Sequence, residues 1–181
     1  RMSSTSYRNG EILPANVNTI SMQAIYNEEE IVFRFSWHDR SEDNQGPSDS
    51  LALAFLAEPG LKWQTGSLQA WPATPQDPSL DLLYWSAEEK SGRQTTAAGI
   101  SSVQYDNSVG HPVPTQTRYQ DGIWTVTLKR ALKAKSPGGV TLSPRQTASI
   151  GLMAWDGAHQ ETGRHRANSS WIDLILNTPE E

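Results

Sequence analysis

The sequence predicts an all-β fold, an antiparallel β-sandwich with long loops, and three observations carry that prediction. Apolar residues recur at every second position in segment after segment. The segments are short and separated by Gly, Pro, Asn and Asp. No helix-period pattern lasts more than a couple of turns, which leaves a sandwich as the way to bury one face of each strand. At 181 residues, the chain is long enough for one hydrophobic core and reads as a single domain over 1–181.

In chain order, Ile20, Met22, Ala24 and Tyr26 of NTISMQAIYN share a face, as do Ile31, Phe33, Phe35 and Trp37 of IVFRFSW. The turn-like NEEE between them makes the pair a hairpin. DSLALAFL is an apolar run suited to a central strand, and LDLLYWSAEE is a half-alternating, aromatic one. In DGIWTVTLKRAL an Asp-Gly turn precedes Trp124, Val126 and Leu128 on the inward face, with Thr125, Thr127 and Lys129 outward. TASIGLMAW and SSWIDLIL complete the set. The expected core includes Phe33, Phe35, Leu53, Phe55, Val126, Leu128, Leu152, Ile172, Leu174 and Leu176. Long polar connections are expected at 38–50, 56–79, 90–120 and 133–147. Connections beyond about a dozen residues are uncommon unless they serve a function.

Composition excludes several function classes. A formal net charge of −5, with scattered lysines and arginines, argues against a phosphate-tracking surface and so against nucleic acid. Without cysteine there is no disulfide, thiolate metal site, iron–sulfur cluster or covalently attached c-type haem. Any haem is then b-type, held by side chains such as His, Met or Lys. No apolar run is long enough to span a bilayer, and RMSSTSYRNG has no signal h-region. The numbering reads as starting inside a longer precursor, compatible with a removed signal peptide or membrane segment.

The loop between the last two predicted strands concentrates chemistry. WDGAHQETGRHRANSS holds Asp156, His159, Glu161 and His165, two of the four histidines of the chain. Together those four side chains offer a Zn²⁺ or Ca²⁺ ligand set, although their spacing matches no metal signature, and His159 alone reads as solvated. Met22, in phase with Ile20, reads first as core packing. Met153 is in phase with Trp155, and His111 of VGHPVP reads as a turn residue. Nothing frames a catalytic site: NEEE is a solvated turn, Ser169–Ser170 lack the glycines of a nucleophile elbow, and SPGG has no phosphate-loop context.

The order of segments resembles a known family. MQAIYNEEEIVFRFSWHD, DSLALAFL, LDLLYWSAE, DGIWTVTLKRAL, IGLMAWDGAHQETG and HRANSSWIDLIL together resemble the haem-b-binding gamma subunit of ethylbenzene dehydrogenase and its relatives in dimethyl sulfide, selenate and chlorate reductases. The strand followed by AWDG, a polar loop and SSW is the most specific part. The resemblance implies an immunoglobulin-like sandwich with haem b lodged between the sheets at one end. It also implies one-electron transfer without chemistry of its own, in the periplasm or another extracytoplasmic space. The implied partner is a molybdenum oxidoreductase subunit or a membrane cytochrome. Family members tend to draw a ligand Met from the loop before the DLLYW strand and a Lys from the loop before SSW. Here EPGLKWQTGSLQAWPATPQDP contains no Met but does contain Lys62, and the position nearest the family Lys is Arg166. Arginine stays protonated and donates no lone pair to iron, whereas the adjacent His165 does. The expected axial residues are therefore His165 and Met22, with Trp63, Trp85 and Met153 around the macrocycle.

A different class rests on the same sandwich. Four of the seven tryptophans (Trp63, Trp71, Trp85, Trp155) fall in or beside long connections. With Gln64, Gln69 and Asp81, Trp63, Trp71 and Trp85 would suit a carbohydrate-binding module, because a flat apolar ring matches the CH face of a pyranose.

Overall fold

A strand with Ile31, Phe33, Phe35 and Trp37 at alternate positions turns all four to one side, and that side has to meet another apolar surface. In the computed structural model, which describes residues 2–3, 6–8, 11–13, 16–57, 79–98, 110–135, 137–163 and 165–177, the meeting surface is a second sheet. This strand is β5 (Glu30–His38). It lies in a four-stranded sheet ordered β10 (Thr115–Gln120), β11 (Ile123–Ala131), β5 and β4 (Ser21–Tyr26). The opposing sheet has eight strands. It runs from β1 (Met2–Ser3) through β13 (Ala167–Ser169), β12 (Thr147–Trp155), β6 (Ser50–Leu56), β7 (Ser79–Ser86) and β8 (Ser91–Ala98) to β9 (His111–Val113). β14 (Ile172–Ile175) pairs with the first half of β12, while β2 (Ser6–Arg8) and β3 (Glu11–Leu13) form a separate hairpin. Every pairing is antiparallel, and no helix occurs among the described residues.

The core between the sheets takes Phe33, Phe35 and Trp37 from β5, Leu51, Leu53 and Phe55 from β6, and Leu83 and Trp85 from β7. Val126 and Leu128 come from β11 and Leu152 from β12. At one end Trp37, Trp85 and Trp124 meet as an aromatic knot, with ring centroids 5.0 to 6.3 Å apart. Offset and edge contacts of this kind add to the burial of area itself. At the other end an ion pair crosses the gap: Arg130 Nη1 donates to Asp81 Oδ2 at 2.8 Å, both side chains being buried.

Several sequence expectations need correction. The stretch 90–120, read as a polar connection, contains β8, β9 and β10, and His111 opens β9 rather than sitting in a turn. These strands escape a hydrophobic reading because their alternation is carried by Ser, Thr and Gln. Gly92 within β8 marks a close approach: a Cβ there would lie 2.5 Å from Leu128 Cδ2 and 2.8 Å from Thr115 Oγ1, both in the opposite sheet. Ile172, expected in the core, is 46% exposed, and Leu174 is only partly buried, because the larger sheet extends beyond the smaller one and β14 lies at its margin. Trp85 lies near the end of β7 and is fully buried in the core.

Candidate functional site

The eight-stranded sheet has a second face, and it is buried too. Ala52, Ala54 and Leu56 of β6, Leu80, Leu82 and Tyr84 of β7, and Met153 and Trp155 of β12 form an apolar cluster separate from the inter-sheet core. Period-two geometry explains the split: Leu53 and Leu152 turn inward while Ala54 and Met153 turn outward. The central strand contributes small alanines where its neighbours contribute Leu, Tyr and Met. Gly151 and Trp171 close one margin, since a Cβ on Gly151 would lie 3.2 Å from the Trp171 ring. Trp171 Nε1 is buried with no acceptor among the described residues. The guanidinium of Arg166 packs 5.5 Å from the Trp155 ring and holds Asn168 Oδ1 at 2.9 Å and Gly163 O at 2.9 Å.

The 156–163 loop is built rather than loosely solvated. Glu161 is buried, accepting from Asn16 Nδ2 at 3.0 Å and from the backbone N–H of Asp156 at 2.9 Å. Burial raises its carboxyl above the ordinary range. Gly157 is where two loops touch: a Cβ there would fall 2.6 Å from Pro47 O and 2.7 Å from Asp43 Cβ. The Gly157 N–H donates to Asp49 Oδ1 at 3.0 Å, while Asp49 Oδ2 accepts from Trp124 Nε1 at 3.0 Å and from Asp43 N at 2.9 Å. Burial drives the Asp49 carboxyl up to about 7 against these hydrogen bonds, and raises Asp39 as well. Asp156 accepts from His159 N at 3.2 Å and meets His159 Nδ1 at 2.8 Å.

The sequence-predicted residues divide among these places. Trp85 and Met22 belong to the inter-sheet side, Trp85 within the core and Met22 packed against it from the edge strand β4. Met153 belongs to the outer cluster. His165 follows the 156–163 loop, half-buried, its N–H donating to Thr162 O at 2.9 Å, and it directly precedes Arg166, whose guanidinium packs on Trp155. Trp63, Trp71, Lys62, Gln64 and Gln69 lie outside the described residues. The quartet Asp156, His159, Glu161 and His165 does not assemble: Glu161 is occupied with Asn16 and Asp156 N, while Asp156 instead joins Asp39, Asp43 and Asp49. Sequence reading missed that grouping, because three of its members come from the 38–50 connection and no local spacing joins them to Asp156. The clamp that Trp85 and Asp81 would form on a sugar is also ruled out, since both are fully buried.

Residues 100–167, covering β9 to β12 and the loop that carries Asp156 and His165, match the family model for ethylbenzene dehydrogenase. Over that stretch the chain is similar to the ethylbenzene dehydrogenase family. Curated relatives agree in kind. Over 158 residues and 86% of the chain it is 21% identical to a protein of Haloferax mediterranei named for the heme subunit of a respiratory nitrate reductase. Over 169 residues and 88% of the chain it is 26% identical to the chlorate reductase subunit gamma of Ideonella dechloratans. The matches span 55% and 66% of the lengths of these two proteins. Within the family match, AWDG is explained by structure: Trp155 ends β12 on the outer face, Asp156 enters the aspartate group, and Gly157 permits the loop contact.

Proposed function

We propose that this chain binds one haem b and transfers electrons for a reductase, without a reaction of its own. The observation that carries this reading is the buried outer face of the eight-stranded sheet, an apolar floor formed in addition to an already complete inter-sheet core. The space between the sheets holds Trp37, Trp85, Trp124 and the phenylalanines, so the outer face is the better seat for a flat macrocycle. Its features suit the group: Met153 and Trp155 give dispersion contact, and the buried Trp171 N–H suits an acidic substituent. The names of the two relatives, one a heme subunit and one a subunit gamma of chlorate reductase, point the same way. The absence of cysteine makes the haem b-type rather than thioether-linked.

When bound, the haem supplies a one-electron iron couple. The chain's own part is to hold it, exclude water from it and present its edge to a partner. His165 is the proposed axial residue, its neighbour Arg166 being unable to bind iron. On this seating Met153 is the thioether that shares the face, while Met22 and Trp85 are packing residues of the opposite side. The partner we propose is a molybdenum oxidoreductase subunit or a membrane cytochrome, in a periplasmic setting.

Purified with haem available, the protein is expected to show a Soret band with sharp reduced α and β bands. His165→Ala moves the spectrum towards high spin, Met153→Leu perturbs it, and Met22→Leu leaves it unchanged. A colourless protein that takes up no hemin overturns the assignment, and an unchanged His165→Ala spectrum removes the ligand.

A further inference from the structure

The end of the sandwich next to the tryptophan knot gathers more negative charge than the protein itself neutralises. Asp39 directly follows β5, Asp43 lies in the connection to β6, Asp49 directly precedes β6, and Asp156 directly follows β12. One carboxylate oxygen from each lies within 4.8 Å of all the others. Three of the four side chains are buried. Among the described residues, the basic partner in ion-pair range of the group is His159, on Asp156, and its side chain is 57% exposed. The decisive atom is Asp39 Oδ2. Asp39 is 8% exposed, and this oxygen is buried with no hydrogen-bond donor among the described residues. Its sister oxygen accepts from Ser41 N at 3.3 Å, the Trp37 side chain also favours the ionised carboxyl group, and the charges acting on it from Asp156 and Asp43 are repulsive. A buried anionic oxygen left without a donor costs folding free energy unless a cation completes it.

We propose that Asp39, Asp43, Asp49 and Asp156 bind a calcium ion that clasps the β5–β6 connection to the loop after β12. The set is entirely oxygen, which selects a hard cation over zinc. Oxygens about 2.3–2.6 Å from one centre lie at most about 5 Å apart, as these do, whereas magnesium holds its ligands closer and keeps most of its water. The remaining positions are open to solvent through a cleft of about 660 Å³ lined in part by Asp39, Asp156, Asn16 and Asn18. Arg40 and His159 stand on its wall and favour a single bound cation over a strongly cation-loading surface. This site is separate from the proposed haem seat, and its test does not require haem.

The test uses the whole chain, stripped with EDTA. Calcium at a hundredfold excess over its Kd is expected to raise Tm by about 5–10 °C, with one ion bound by calorimetry. Terbium in place of calcium is expected to luminesce on tryptophan excitation, because the Trp124 indole is hydrogen-bonded to the ligand Asp49 at 3.0 Å. Asp39→Asn removes repulsion, so it is expected to hold or raise the Tm of the metal-free protein while weakening calcium at least about tenfold. Absence of both the calcium shift and the terbium emission overturns the proposal. So does a calcium response in Asp39→Asn equal to that of the unaltered chain.

Discussion

Replacing Asp81 with leucine tests how the two sheets are held together at the end away from the tryptophan knot. Asp81 belongs to β7 and Arg130 to β11, and their 2.8 Å ion pair is buried on both sides. Asp81 also accepts from Gln94 Nε2 at 3.0 and 3.1 Å and from Val140 N at 2.8 Å. Arg130 donates from Nε to Ala131 O at 3.0 Å and from Nη2 to Val140 O, and its guanidinium packs 4.9 Å from the Phe55 ring. Burial lowers the Arg130 pKa and Asp81 opposes that shift, so the arginine relies on its partner. Asp81→Leu leaves a buried guanidinium without a counter-charge and strips acceptors from two N–H groups. The expected loss is about 3–5 kcal/mol, a large share of a typical domain's stability. Adding Arg130→Met removes the stranded charge and is expected to recover most of that loss, because a buried pair replaced by apolar groups of similar size is often near neutral. Urea unfolding followed by tryptophan fluorescence reads this directly. With m near ~2 kcal/mol/M, the single variant shifts the midpoint down by roughly 1.5–2.5 M. The four proteins form a double-mutant cycle with an expected coupling of about 2 kcal/mol or more. Additive losses, with coupling below about 0.5 kcal/mol, would refute the reasoning.

Two further perturbations probe the acidic end. Gly157→Ala drives a methyl into backbone, 2.6 Å from Pro47 O, and is expected to cost about 1–3 kcal/mol and to weaken terbium emission; an unchanged melt counts against the loop contact. In EDTA the folded-state pKa of Asp49 is raised from 3.8 to about 7, so its contribution is full below the lower value and is lost as pH rises through the upper. Unfolding free energy is therefore expected to fall between about pH 4 and pH 7, by at most about 1.4 kcal/mol per pH unit from this group, with Tm falling in step, the reverse of an ordinary salt-bridged aspartate. A rise across that interval contradicts it.

The strands that large apolar residues mark were legible: β4, β5 and β11 follow from alternation, β6, β7 and β12 from apolar or half-alternating runs, and Phe33, Phe35, Leu53, Phe55, Val126, Leu128, Leu152 and Leu176 are buried as expected. β8 and β10 were not, because Thr, Ser and Gln can alternate across a pleat without a hydropathy signal. Their place in the sheets is set by neighbours such as Thr115 Oγ1, which accepts from Gly92 N at 2.9 Å. The double-sided burial of the large sheet was half legible. Met153 and Trp155 stood in phase against Leu152 and Ala154, which made at least one face bulky there, but alternation does not say what a second face is for.

The acidic group was invisible for a different reason: its members are joined by topology, through the antiparallel pairing of β6 with β12, which brings Asp49 beside Gly157. That same joint bears on the proposed haem ligand. The Asp49 to Gly157 bond, the Glu161 to Asp156 bond and the Arg166 to Gly163 bond fix the loop at its start, its middle and its end, and His165 is attached to the last of these. A histidine on a free hairpin would have to be ordered by the metal it binds. Here the loop is ordered by carboxylates and a glycine contact, so the entropy of positioning His165 is settled in folding rather than in cofactor capture. If both proposed sites are filled, calcium and haem are linked in sign: an ion that secures Asp156 against Asp49 stiffens the segment leading to His165. Hemin affinity is then expected to be higher with calcium than in EDTA, and by linkage haem tightens calcium by the same factor.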